Sequence, residues 1–170
     1  LAHLQAHLDL FQCPACSGAL RVESDVVCSA CGHRYAVEDG VPLLFAPNEW
    51  DGKSDVTNSM KAFYEETPFP NYDDIDDMGS LIDKAERGLF GKMLDRQTPY
   101  QTKVLEVGCG TGQLSNYLGI AQRDVFGADM CVNSLKLAND FRRKNELTRV
   151  GFYQMNLFRP IFKSGSFDFV

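Results

Sequence analysis

Lys103-Val104-Leu105-Glu106-Val107-Gly108-Cys109-Gly110-Thr111-Gly112 is the stretch on which the reading of this chain turns. Apolar residues run up to a carboxylate, a Gly-x-Gly-x-Gly turn follows, and an amphipathic helical pattern begins at about Gln113. That order predicts a buried β-strand, a tight turn and a helix. Glycine admits positive φ and lets a ligand approach bare main chain. The amides of the helix's first turn point into the same space. In an open α/β sheet, the carboxyl end of the first strand is where a nucleotide-like cofactor sits. A dinucleotide fingerprint, Gly-x-Gly-x-x-Gly, would put its third glycine where Gln113 stands. Here the extra glycine comes one residue earlier, at Gly112.

Three further stretches follow in order. Asp124-Val125-Phe126-Gly127-Ala128-Asp129 reads as a second strand ending in a carboxylate, 23 residues beyond Glu106. A carboxylate at about that distance is placed to hold ribose hydroxyls. Asp129-Met130-Cys131-Val132-Asn133-Ser134-Leu135 leads into a second helix. A third strand, Val150 to Met155, is followed by Asn156-Leu157, and Ser166-Phe167-Asp168-Phe169-Val170 opens a fourth. With these motifs in sequence over residues 103–170, the chain resembles the class I S-adenosylmethionine-dependent methyltransferases.

The resemblance implies an α/β, Rossmann-like parallel sheet of order 3-2-1-4 with right-handed crossovers. Strand 103–107 would lie between 124–128 and 166–170, and strand 150–155 outside 124–128. It further implies that Gly108, Gly110, Gly112 and the adjoining backbone face the methionine part of the cofactor. Glu106 would position the amino group, Asp129 would hold the ribose with Met130 beside it, and Asn156 would meet the adenine. The family usually has an aspartate at that last position, and asparagine can still accept through its carbonyl. No catalytic residue is named, because the resemblance puts the base just after the fourth strand, beyond Val170. The chain starts at Leu1 and stops inside that strand, so it is expected to be a fragment lacking the C-terminal part of the domain.

Plainer readings stand beside these. Glu106 could be a solvated strand end and Asp129 a helix cap, and only their joint spacing with the glycines favours ligand binding. Cys109 reads as a small residue filling a tight turn, and Cys131 as a residue packed at a helix start. Neither has a histidine nearby in sequence to activate a thiolate.

Cys13-Pro14-Ala15-Cys16 and Cys28-Ser29-Ala30-Cys31 form a second constellation. Four thiolates are the donor set of tetrahedral structural zinc. The 11 intervening residues fit a hairpin, Ala19 to Glu23, a turn at Ser24-Asp25, then Val26-Val27. Gly18 and Gly32 follow the pairs as knuckle turns require. His33 is then an exposed or supporting residue. Two disulfides are the rival reading, and they would need an oxidising compartment. Residues 11–45 resemble the zinc-ribbon modules at the front of some methyltransferases and in the small activator subunit of tRNA and protein methyltransferases. Such a module has little core of its own, so the metal would supply much of its stability, on the order of 10 kcal/mol.

The predicted organisation is therefore a zinc-ribbon module over 11–45, a linker and aromatic, proline-rich segment over 46–78, and methyltransferase sequence over 79–170. Within the middle part, Val56 to Glu66 reads as a short helix. Phe63 to Tyr72 is aromatic and proline-rich, and packing against the sheet is favoured over covering a pocket. Ser80 to Gln97 is expected to be one helix with Leu81, Ala85, Leu89, Met93 and Leu94 near one face, ended by Pro99.

The net charge of −6 is uneven: residues 1–100 carry 8 basic and 17 acidic side chains, residues 101–170 carry 9 and 6. An acidic first part is a poor surface for a phosphate backbone, so nucleic acid is not supported by charge. Arg142-Arg143-Lys144, the one basic run, falls at a helix end that favours cations without a partner. No stretch approaches 18 apolar residues, and no secretory signal is visible, which implies a cytoplasmic protein that does not span a membrane. The expected activity is methyl transfer from S-adenosylmethionine to an unidentified acceptor, with structural zinc. A nicotinamide-dependent oxidoreductase is the first alternative, separable by titration with S-adenosylhomocysteine and NAD. The second is a non-catalytic zinc-ribbon partner protein, separable by a methyl-transfer assay.

Overall fold

The computed structural model describes residues 1–50, 57–66 and 69–170. The chain opens with helix α1 (Ala2–Ala6) and a 3-10 turn over Leu8–Leu10. Five short strands follow: β1 (Leu20–Val22), β2 (Val26–Cys28), β3 (Arg34–Tyr35), β4 (Val37–Glu38) and β5 (Val41–Pro42). Helices α2 (Thr57–Glu66), α3 (Met78–Arg87) and α4 (Leu89–Gln97) lead to a strand–helix alternation: β6 (Lys103–Val107), α5 (Gln113–Ile120), β7 (Asp124–Asp129), α6 (Val132–Lys144) and β8 (Val150–Gln154).

β6, β7 and β8 pair in parallel in that order, Lys103 opposite Asp124 and Val125 opposite Val150. The expected fourth strand runs beside β6 as a single parallel bridge, Val104 with Phe169, rather than as a strand. Leu105 N donates to Phe169 O (3.0 Å) and Asp168 N to Lys103 O (3.0 Å), so the position predicted for residues 166–170 holds and the order is 3-2-1-4. On the other edge, Leu43 bridges Gln154 in parallel and lengthens the sheet beyond β8.

Period-2 alternation divides the strand residues between two cores. Val104, Val125, Val150 and Phe152 face Leu118, Leu135, Ala138 and Phe141 of α5 and α6. Leu105, Phe126, Ala128, Tyr153 and Met155 face the other way, where a doubly wound sheet would carry further helices. Here that face is covered by the cysteine module: Phe11, Cys13, Leu20, Val26, Tyr35 and Leu44 pack into the same cluster. The module over 11–45 therefore shares its core with the sheet instead of standing apart from it. Sequence reasoning assigned nothing to residues 1–10, yet α1 seals this face. His3 Nε2 donates to Arg149 O (3.1 Å), and in the neutral ring Nδ1 accepts from Tyr153 Oη (2.7 Å). Burial drives its pKa down to about 3, so it is neutral.

The single helix expected over 80–97 is two. Asp77 caps α3 by accepting from Ser80 N, and the chain breaks at Gly88, whose extended backbone (ψ 140°) ends one helix and starts the next. Leu81 is buried, but Leu89 is 74% and Met93 52% exposed, so the break turns the predicted apolar face outward. Arg123, 1% exposed, ties the end of α4 to the sheet through Asp95 Oδ1 (2.6 Å) and the carbonyls of Asp95, Thr98 and Leu118. Of the predicted linker and the start of its helix, residues 51–56 lie outside the described residues, as do 67 and 68. Among the described residues, no helix is long and apolar enough to cross a membrane.

Candidate cofactor and metal sites

At the carboxyl end of β6 the chain makes the turn its glycines foretell. Gly108, Gly110 and Gly112 have φ of 72°, 53° and 69°, the left-handed region that other residues enter at a cost. They differ in what their missing side chains face. A Cβ on Gly108 would meet nothing within 4 Å, so this backbone borders open space. A Cβ on Gly110 would lie 2.8 Å from Phe69 O. One on Gly112 would strike the Phe152 ring at 2.4 Å and Ala138 Cβ at 2.8 Å, and the Gly112 amide is spent on Cys109 O (2.8 Å). Glycine at this position is required by helix–sheet packing.

Asp129 ends β7 directly beside this turn. Its Oδ2 accepts from Gly110 N (2.8 Å) and its Oδ1 from Cys131 N (2.8 Å). A carboxylate offers about four lone-pair sites, so two remain for a ligand. Asp129 does not cap α6: Cys131 is the N-cap, and the amides of Val132 and Asn133 go to Glu65 Oε1 (2.9 Å) and Oε2 (3.0 Å). Burial pushes the Glu65 carboxyl up, but those amides, with Cys131 and Lys61, outweigh it and hold it below the ordinary glutamate value. Sequence reasoning missed Glu65, which sits on α2 with no local motif to mark it. Met130, half-buried, follows Asp129, and its carbonyl accepts from Gln154 Nε2 (2.9 Å).

Glu106 accepts from Ser115 Oγ (2.5 Å). Burial raises its pKa above the ordinary glutamate value, the Ser115 hydroxyl and amide pull it down, and the Asp129 charge adds to the rise. It lines a cavity of about 520 Å³ with Gly108, Cys109, Gly110, Phe69 and Tyr117. The aromatic segment both packs and covers. Tyr72 stacks on Phe141 and donates to Thr111 O (2.8 Å), Thr111 Oγ1 donates to Pro70 O, and Phe69 stays exposed at the cavity. The Cys109 thiol is raised well above its ordinary value by burial, as befits a turn filler and not a nucleophile.

Asn156 lies just past β8, and its carboxamide is committed to the protein. Nδ2 donates to Ala46 O (2.9 Å) and Asn48 Oδ1 (2.7 Å), and Oδ1 accepts from Phe158 N (3.1 Å). These bonds hold a turn, and an amide oxygen that accepts one bond has a second lone pair. Likewise the basic run is spent within the chain, Arg142 on Asn139 Oδ1, Arg143 on Asp140 and Lys144 on Asp76 O.

Cys13, Cys16, Cys28 and Cys31 converge, with all four sulfurs within 4.8 Å of one another and none in a disulfide. The Cys13–Cys31 and Cys16–Cys28 separations are 3.9 and 3.5 Å. Sulfurs about 2.3 Å from a tetrahedral zinc lie about 3.8 Å apart, so the donor set fits that ion. A Cβ on Gly18 would come within 2.6 Å of Ala30 Cβ and 3.1–3.2 Å of two of the sulfurs, a cradle that only glycine leaves open. The amides of Cys31 and Ala30 draw the Cys28 thiol down, while at Cys16 the Gly18 amide is outweighed by hydrogen bonds with Cys31 and Cys28, which push that thiol up. His33 is exposed and its ring lies tilted against Tyr35, outside the cluster. His3, His7 and Asp124 also gather, at the opposite end of the sheet from the glycine turn. There Arg149 already pairs with Asp124 (2.9 Å) and both His3 nitrogens are engaged, which disfavours a cation.

Residues 104–170 match the family model described as a methyltransferase domain. The match covers the strand–helix alternation that carries the glycine turn and Asp129. No curated protein matches the chain. Among solved structures it is similar to a TehB-like SAM-dependent methyltransferase from Corynebacterium glutamicum, at 21% identity and TM-score 0.35 over 46% of each chain. It is similar to the [4+2]-cyclase SpnF at 16% identity and TM-score 0.48, over 64% of this chain and 46% of that one. Haemonchus contortus phosphoethanolamine N-methyltransferase 1, solved with phosphoethanolamine and S-adenosylhomocysteine, matches at 16% identity and TM-score 0.43, over 64% of this chain and 24% of that one. The chain spans less than half the length of each of these structures.

Proposed function

We propose that this chain binds S-adenosylmethionine at the carboxyl ends of β6 and β7 and serves methyl transfer to an acceptor whose identity its residues do not specify. The observation that carries this is the Asp129 carboxylate, fixed by the Gly110 and Cys131 amides beside the open backbone of Gly108. Once bound, the cofactor supplies an activated methyl on a sulfonium, so the protein's work is mainly positioning. Asp129 offers its remaining lone pairs to the ribose hydroxyls, and Met130 follows it at the strand end. Gly108 and Gly110 let the methionine part approach the main chain. Glu106, in the cavity, gains a cationic partner in the amino group. Zinc held by the four cysteines keeps the ribbon folded, and thiolates in that state fit a reducing compartment, the cytoplasm.

Removing one charged acceptor from a desolvated site costs about 1.5–3 kcal/mol, or roughly 10- to 150-fold in affinity. Asp129→Ala should therefore weaken S-adenosylmethionine binding at least tenfold while leaving zinc content unchanged. Unaltered cofactor affinity in that variant would remove the ribose role.

A further inference from the structure

β8 ends against the residues proposed to hold the cofactor: Met155 N donates to Asp129 O (2.8 Å) and Gln154 Nε2 to Met130 O (2.9 Å). The chain then reverses over Asn156–Arg159, closed by Arg159 N on Asn156 O (3.0 Å) and by Phe158 N on Asn156 Oδ1 (3.1 Å). Leu157 and Phe158 at its tip are more than half exposed, and Phe158 packs edge-to-face on Trp50 with ring centroids 4.6 Å apart. Polar bonds to the segment just past the cysteine module, and to the module's first knuckle, hold the turn. Asn156 is held by Ala46 and Asn48, just past β5. Arg159 reaches the metal knuckle itself, Nε donating to Pro14 O (3.2 Å) and Nη2 to Ala15 O (3.4 Å), while Nη1 pairs with Glu49 (2.8 Å).

Pro14 and Ala15 are the two residues between Cys13 and Cys16. The direction of their carbonyls follows from how those two sulfurs are held. We infer that Arg159 is a positioning residue through which the metal knuckle orders the turn that follows β8, the strand whose end bonds to Asp129 and Met130, so that metal occupancy sets cofactor affinity. This rests on the cofactor reading above. Without the metal, Arg159 loses the fixed geometry of two of its three acceptors, and cofactor binding then has to order the turn at its own expense. Coupling between two sites is reciprocal, so the cofactor in turn slows loss of the metal.

The test is calorimetric titration of the zinc-loaded wild type and Arg159→Ala with S-adenosylhomocysteine, alongside zinc analysis and near-UV circular dichroism. Arg159→Ala is expected to keep its zinc and native spectrum while binding about five- to tenfold more weakly. Chelating zinc from the wild type should weaken binding by a similar factor, and chelating it from Arg159→Ala should add little. Equal affinity in the two zinc-loaded proteins overturns the inference alone, as does a chelation effect undiminished by the substitution. A wild type that does not bind S-adenosylhomocysteine overturns the cofactor reading and this inference with it. Should the metal-free chain unfold, the rate of zinc release to a chelator takes its place. Saturating S-adenosylhomocysteine should slow release from the wild type and not from Arg159→Ala, and an unchanged wild-type rate contradicts the coupling.

Discussion

Glu106 and Asp129 are two acidic side chains that the fold treats differently. Asp129 receives two backbone amides, which fix its carboxylate in place. Glu106 is buried with one hydroxyl donor, and its raised pKa means that its charge is a burden on the ligand-free protein. For a carboxyl whose folded pKa exceeds the unfolded value, the folded state binds the extra proton, so stability falls as pH rises through the window between the two. Glu106→Gln should therefore raise the unfolding temperature at pH 7, with the gain fading as pH approaches 4.5, and should weaken S-adenosylhomocysteine binding. Thermal scans at several pH values check the first part. A variant less stable than the wild type at pH 7 would contradict the assignment of strain to this carboxylate.

Among the elements, local signals were legible and distant ones were not. β6, β7, β8, the glycine turn and the β1–β2 hairpin were readable because strand runs, glycines and cysteine pairs declare themselves within a few residues. Gly88 divided a predicted helix because glycine is a poor helix former, and the apolar face of Leu89 and Met93 was misdirected with it. Glu65, Asn156 and Arg159 act on partners 68, 110 and 145 residues away, separations at which one sequence carries no pattern. Arg123 is a further case, a cation read only as charge that proves to be the clamp between α4 and the sheet. Removing one side of a buried charged network costs about 3–5 kcal/mol, whereas a change on an exposed helix face stays within about 0.5 kcal/mol. Urea denaturation should place Arg123→Ala in the first range and Leu89→Gln in the second. Similar midpoints for the two would refute the clamp.

At the scale of the whole molecule, the cysteine module replaces helices on one face of the sheet. Tyr35 joins its two roles, donating to Cys13 Sγ (3.1 Å) while packing in the core shared with Phe126 and Tyr153. A metal held by the four cysteines would then stabilise the sheet as well as the ribbon. Protein made in a reducing host should contain about one zinc per chain, and Cys28→Ser should lose the metal and lower the unfolding temperature of the whole molecule, sheet included. Two intact disulfides without zinc would contradict the metal site, and an unchanged sheet transition would contradict the shared core. The central claim is that the glycine turn and Asp129 hold S-adenosylmethionine. Calorimetric titration of the zinc-loaded protein with S-adenosylhomocysteine and, separately, with NAD tests it most directly. The account predicts one saturable site for S-adenosylhomocysteine and no heat of binding for NAD; saturable binding of NAD with none for S-adenosylhomocysteine would contradict it.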